Sequence, residues 1–219
     1  MASRPDIPSV ELPRPETENP ELASLVDRTA GLQPGRRIFH AANGTLIALA
    51  LTWLEVSRGM ALLLLGGALA GLVFMDVVRL RLPGANAAFF KAFRHLASPR
   101  EATGPASSTW YTLGVLLTVA FFPRPAAVTG ILILALADPA ASYVGRRWGR
   151  RPFLGASLEG TALFVLVAAV TVAVRHGWVA GAVTGLVTAF AERRSWPIDD
   201  NLTVPVVGAG TITLLEALL

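Results

Sequence analysis

GMALLLLGGALAGLVFM, residues 59–75, is a run of seventeen residues without one Asp, Glu, Lys or Arg. A helix that is apolar on every face has no polar stripe to turn to water, so it belongs to a deep core or to hydrocarbon. Six further charge-free runs decide between these: 38–54, 102–123, 125–137, 160–174, 177–191 and 201–215. Hydrophobic residues make up 53% of the 219 and charged residues 16%, against roughly 25% charged in a soluble domain. Mean hydropathy is +0.54. A soluble chain this apolar would lack the polar surface to cover itself, so the sequence reads as an all-α, polytopic membrane helix bundle with about seven spans. Several runs fall short of the ~20 residues that cross a bilayer unaided. Polar ends must therefore count toward those spans or lie inside the bundle.

Charge sets the expected orientation. Eighteen of the nineteen basic residues are Arg, and the other is Lys91. With seven spans, sixteen of them fall in the N-terminal tail and the second, fourth and sixth loops, leaving Arg58, Arg124 and Arg175 on the other side. By the positive-inside rule the N-terminus is cytoplasmic, in a cytoplasmic membrane, and the C-terminus lies across it. The net charge of +4 is spread between apolar runs. That pattern favours a membrane surface or phosphate groups over nucleic acid. Cysteine is absent, which excludes disulfides and thiolate chemistry.

Residues 1–35 read as a polar, partly disordered cytoplasmic tail, and 36–219 as a single transmembrane catalytic domain. The tail is Pro-rich and shows no secretory leader. A short helix is expected from Asn19-Pro20-Glu21, with Leu22, Leu25 and Val26 on one face and Gly31 as its stop. Another follows Pro83-Gly84. There Phe89, Phe90, Phe93 and Leu96 form an apolar stripe beside Lys91, Arg94 and His95, and Pro99 ends the helix. It either lies in the interface or packs on the bundle.

Seven acids interleave with a dozen arginines at the expected cytoplasmic face, which suggests a polar site rather than a plain anchor. Asp138 precedes Pro139 deep in the fourth span, where a kink or break would let a carboxylate hold a cation in a cavity. It lies ~9 Å below Val144 at the helical rise. Arg146, Arg147, Arg150 and Arg151 lead to a helix start at Ser157-Leu158-Glu159-Gly160, where guanidinium forks and free amides suit phosphate. Asp199, Asp200 and Asn201 open the seventh span. They offer hard oxygens of the kind Mg²⁺ takes, or helix caps. Arg37 and His40 enter the first span; Asp76 and Arg79 leave the second, three apart on one face, where they could pair. No Walker loop and no His-Arg-Asp kinase loop occurs, so a nucleotide site would be built from Arg, backbone amides and acids.

Five stretches together resemble the CTP-dependent polyprenol kinase family, which includes dolichol kinase, phytol kinase and CTP-dependent diacylglycerol kinase. They are Arg37-x-x-His40, Asp76-x-x-Arg79, the Asp138-Pro-Ala-Ala-Ser run to Gly145, Ser157-Leu-Glu-Gly160, and Asp199-Asp-Asn-Leu-Thr-Val-Pro205. A more distant similarity is to phosphatidate cytidylyltransferases. The resemblance runs from about Arg36 to Leu219. It implies transfer of the terminal phosphate of CTP to the hydroxyl of an isoprenoid alcohol or diacylglycerol. Asp138, Asp199 and Asp200 would hold Mg²⁺, one of them taking the hydroxyl proton. Arg37, Arg146, Arg147, Arg150, Arg151 and Asn201 would bind the nucleotide. Glu159, with Ser157, would orient it or an arginine. His40, Asp76 and Arg79 are further candidates. The family's Lys before Ser-x-Glu-Gly is Ala156 here, so that phosphate contact is either absent or supplied by Arg150 or Arg151. Two alternatives stand beside this one: a phosphatidate cytidylyltransferase, and a transporter or scaffold without catalysis.

The charge asymmetry makes a direct prediction. Reporter fusions should place the N-terminus in the cytoplasm and the C-terminus across the membrane. Both ends on one side would remove the seven-span arrangement.

Overall fold

Each of the seven charge-free runs gives one helix. The structure, a computed structural model of the protein, describes residues 20–31, 33–194 and 198–218. In chain order its helices are α1 (Pro20–Asp27), α2 (Pro34–Thr52), α3 (Arg58–Arg81), α4 (Pro83–Ala92), α5 (Ser107–Phe121), α6 (Arg124–Trp148), α7 (Leu158–His176), α8 (Trp178–Arg194) and α9 (Asp200–Leu218). A 3₁₀ turn covers Pro99–Ala102. Of the tail expected to be partly disordered, residues 1–19 lie outside the described residues.

α3, α6, α7 and α9 are long and apolar enough to cross a membrane by length and composition, and α5 is a shorter apolar helix. Their outer faces confirm the class. Leu63 is 70% exposed, Phe74 72% and Val174 80%. Side chains of that size bared in such number need hydrocarbon, not water, around them. Several helix hydroxyls are correspondingly satisfied within the chain, as a bilayer favours. The hydroxyls of Thr118, Thr171, Thr188 and Thr213 donate to the carbonyls four residues earlier in their own helices.

α6 is the centre. It packs against α2, α5, α7 and α9, and Ile131, Ile133, Leu134, Ala135 and Ala137 are fully buried. Small residues set the spacing. A Cβ on Gly130 would lie 2.6 Å from the Pro205 carbonyl and 3.1 Å from the Ala209 methyl. A Cβ on Gly160 would meet the Ala141 carbonyl at 2.9 Å. Small residues that let backbones approach are the usual currency of helix association in lipid. Of the kink or break expected at Pro139, a break is not found: α6 continues through it to Trp148. Membrane helices commonly tolerate an internal proline.

One small element was not expected. Pro152–Phe153 pairs antiparallel with Ala156–Ser157. Leu154 and Gly155 both have positive φ, 44° and 77°, the combination that a two-residue hairpin turn needs. α7 then starts directly, with Ser157 Oγ accepting from the Gly160 amide at 3.1 Å.

α1 and α4 form a satellite on the α3 side. Leu22 and Val26 of α1 pack with Phe90, Ala97 and Ala102, and Phe90 is fully buried. Of the two readings of the Phe89–Leu96 stripe, packing on the rest of the chain is therefore the one observed for Phe90. The helix ends sooner than expected, at Ala92, with turns to follow.

Asp76 and Arg79 tie this satellite to the bundle. The Arg79 guanidinium donates to Asp76 (2.7 Å), Asn86 (3.1 Å), and the Glu101 and Gly104 carbonyls, and it sits over the Phe89 ring. Asp76 also accepts from the Ala106 amide and from Thr109 Oγ1 at 2.6 Å. Both residues are buried, Arg79 at 1% exposure. Every strong partner is thus internal, and the pair holds α3, α4 and the start of α5 together. Arg79→Met leaves a buried carboxylate without its cation and should cost about 3–5 kcal/mol. Thermal unfolding in detergent reads this directly. A loss under about 1 kcal/mol would mean that the network contributes no more than an exposed pair.

Candidate active site

Three carboxylates converge where α6, α8 and α9 meet. Asp138, Glu192 and Asp200 each bring one oxygen to within 4.8 Å of the others. Each arrives for a local reason. Asp138 lies on the central helix, ten residues before its end. Glu192 closes the last turn of α8 and is 9% exposed. Asp200 is the first residue of α9. That helix start is held close to α5, since a Cβ on Gly114 would meet the Asn201 carbonyl at 2.4 Å.

Neighbouring Asp199 does something else. Its Oδ1 accepts from the Asn201 amide at 3.0 Å and from the Asn201 side chain, while its carbonyl takes the Leu202 amide at 3.1 Å. This is helix capping, the alternative open to the Asp-Asp-Asn run. Asn201 is 2% exposed, and its Oδ1 is buried without a hydrogen-bond partner among the described residues.

Around the acids stand cations. Arg37, Arg146 and Arg193 all lie within electrostatic range of Asp138. Arg37 donates to Ser142 Oγ at 3.0 Å, inside the Asp138–Gly145 stretch. Arg146 donates to the Gly31 carbonyl. Arg193 is paired with Glu192. His40 also lies in range of Asp138 and Asp199, and its ring meets Tyr111 edge-on at 4.6 Å.

Other expected residues are placed differently. Arg147, Arg150 and Arg151 are exposed, as Arg146 is. The amides expected to face phosphate at the start of α7 are already engaged. Leu158 N–H donates to the Arg151 carbonyl at 2.8 Å, and Gly160 N–H to Ser157. The Glu159 carboxylate accepts from the Arg150 and Arg151 amides at 3.1 and 3.4 Å. Ser157 and Glu159 therefore shape the loop after α6. Asp76 and Arg79 belong to the separate buried network. Glu192 and Arg193 were not singled out from the sequence. Their one signal was an acid among basic residues at a span end, which reads equally as ordinary flanking.

A metal can be tested against this donor set. Opposite ligands of an octahedral magnesium ion, at ~2.1 Å each, are about 4.2 Å apart. Carboxylate oxygens within 4.8 Å approach that span. All three are hard oxygens, and the unpartnered Asn201 Oδ1 adds a fourth nearby in sequence. The residues fit a hard divalent cation.

Comparison with known proteins bears on the same residues. The chain is 30% identical over 147 residues to CTP-dependent diacylglycerol kinase 1 of Eremothecium gossypii, covering 65% of this chain and 46% of that protein. It is 27% identical over 162 residues to the protein of the same name in Schizosaccharomyces pombe, covering 64% and 74%. With that of Saccharomyces cerevisiae it shares 28% over 147 residues, covering 66% and 49%. The chain is similar to CTP-dependent lipid kinases. It spans about half the length of two of these relatives and about three quarters of the third. No protein-family model matches the chain, and no solved structure matches it significantly. The three relatives support the family resemblance carried by the motifs.

The acid cluster yields a prediction independent of turnover. Asp138→Asn, Glu192→Gln and Asp200→Asn should each weaken Mn²⁺ binding to the purified protein at least tenfold by calorimetry. Unchanged affinity in all three would assign the carboxylates to packing.

Proposed function

We propose that the protein is a membrane-embedded lipid-alcohol kinase that transfers the terminal phosphate of CTP to the hydroxyl of diacylglycerol. The observation that carries this reading is the meeting of Asp138, Glu192 and Asp200 amid Arg37, Arg146 and Arg193. Acids alone would suit a cation, and arginines alone a flanking anchor. Interleaved, they suit a nucleotide triphosphate with its metal. The similarity to three CTP-dependent diacylglycerol kinases supports both the donor and the acceptor. An isoprenoid alcohol, which the family resemblance also allows, has no relative of that kind among those three.

Phosphoryl transfer asks for positioning and charge neutralisation more than for covalent chemistry. Arg37 and Arg146 would bind phosphate oxygens, with Ser142 fixing the Arg37 fork. Arg193 would hold Glu192 in place. Asp138, Glu192 and Asp200 would hold a magnesium ion, which when bound would supply charge neutralisation for the phosphates. The lipid hydroxyl would give its proton to a carboxylate of the cluster as its oxygen bonds the γ-phosphorus. The bond from that phosphorus to the β-phosphate oxygen breaks, and CDP leaves. With the N-terminus cytoplasmic, the site opens where CTP is available.

Purified protein given γ-labelled CTP and diacylglycerol should form labelled phosphatidate and release CDP. Release of pyrophosphate instead, with phosphatidate as the acceptor, would establish the cytidylyltransferase alternative. Asp200→Asn should lower kcat about 10²–10³-fold, the scale for loss of one preorganised group. Arg37→Ala and Arg146→Ala should raise the CTP KM at least tenfold. Normal kinetics in all three variants would remove this site from the reaction.

A further inference from the structure

On the other side of α2 lies a cavity of about 300 Å³, bounded by α2, α3, α4 and α5. Nothing in the phosphate chemistry uses it. Its lining is graded. Phe39, Leu72, Phe89 and Phe93 supply apolar wall, and Phe39 and Phe93 are themselves exposed, 54% and 43%. His40, Asn43, Ser108, Tyr111 and Thr112 supply polar wall. Two buried polar atoms behind that wall, His40 Nε2 and Tyr111 Oη, have no hydrogen-bond partner among the described residues. Tyr111 Oη is wedged at Gly44 on α2, so the polar wall facing the cavity comes from Asn43, Ser108 and Thr112, which suit a ligand with oxygens to offer. Arg36, Glu101 and Ser107 close the charged end. Arg36 donates to Ser107 at 2.7 Å, and Ser107 to Glu101 at 2.8 Å. Burial pushes the Glu101 carboxyl up, opposed by Arg36 and the Ser107 hydroxyl.

We infer that this cavity holds the glycerol end of the lipid alcohol, an inference that rests on the kinase reading above. The lining matches the occupant: a neutral head with ester and hydroxyl oxygens, followed by two apolar chains. A volume of 300 Å³ takes the head and the first chain carbons. It sits at the small end of the ~300–1,000 Å³ typical of ligand sites. The chains run out past Phe39 and Phe93 along α3, whose apolar window is only 11% buried. His40 ties the cavity to the reaction, because it lines the cavity and lies in electrostatic range of Asp138. A lipid seated here would bring its hydroxyl toward the acids past the end of α2, with His40, Asn43 and Thr112 as positioning residues.

The test uses the full chain in lipid nanodiscs with a diacylglycerol carrying a photoreactive diazirine near the glycerol. Mass spectrometry of the crosslinked protein should find label on residues 36–43 and 107–112, and excess unlabelled diacylglycerol should remove it. Ser108→Trp and Thr112→Trp should each raise the diacylglycerol KM at least tenfold while the CTP KM stays within twofold. Should either variant fail to fold, Asn43→Ala, a truncation, should raise the diacylglycerol KM severalfold without changing the CTP KM. Label confined to other lipid-facing helices, or filling variants with an unchanged diacylglycerol KM, would overturn the site and leave the kinase reading standing. Label in the cavity of a protein that phosphorylates no lipid would overturn the kinase reading and leave the lipid site standing.

Discussion

Close backbone approach at α6 is the constraint on which the other features depend. Gly130 admits the α9 backbone, while Gly145 and Gly160 admit one another across α6 and α7. Without a hydrophobic force between helices in lipid, such contacts and a few internal hydrogen bonds carry the association. The consequence for chemistry is direct. Asp138 rides on α6 and Asp200 on α9, so the Gly130 and Gly114 contacts fix how near two like charges come. A side chain at either glycine would push the helices apart and open the cluster. Packing and the geometry of the acid cluster thus share the same small residues.

Charge is handled in two ways at this end of the bundle. Asp76 and Arg79 are closed upon each other and upon backbone carbonyls, every strong donor directed inward. That arrangement makes a rigid joint and leaves little to offer a substrate. Asp138, Glu192 and Asp200 are arranged differently: three like charges brought together, with one of the surrounding arginines committed to Glu192. Three carboxylates at that spacing repel one another and lose hydration. Protonation, the neighbouring arginines, a cation or a substrate can each offset this, and clusters that need such an offset concentrate at functional sites.

How much of this the sequence disclosed depends on what each residue's neighbours are. The seven helices were legible because charge-free runs leave few alternatives. Asp138 was legible because a carboxylate before a proline inside such a run has no ordinary explanation. Glu192 was not, because Arg193 and Arg194 beside it make it look like flanking charge, and only the approach of α8 to α9 gives it partners. Asp199 and Asp200 were read as equivalent, yet they flank a helix start. The first, still outside the helix, turns back to cap it; the second, already on it, projects toward α6. Ser157 and Glu159 matched a family motif, but a motif does not say whether an amide is still available, and here the loop takes them up. The Leu154-Gly155 turn was invisible because one non-glycine residue with positive φ carries no signal of its own.

The two sides of α2 join these observations. Arg36 and Arg37 are adjacent, and successive residues on a helix point about 100° apart. Arg36 accordingly reaches Ser107 on α5, on the cavity side, and Arg37 reaches Ser142 on α6, on the acid side. His40 is three residues beyond Arg37, nearly one turn on, and lines the cavity while lying within the field of Asp138. On the reading proposed above, α2 would be the partition between a charged compartment for the nucleotide and an apolar one open to lipid. A kinase for a membrane alcohol has to solve that problem, since its two substrates come from water and from hydrocarbon and must meet across a few ångströms. One helix carrying both linings on adjacent faces keeps the compartments separate yet lets them touch at its end.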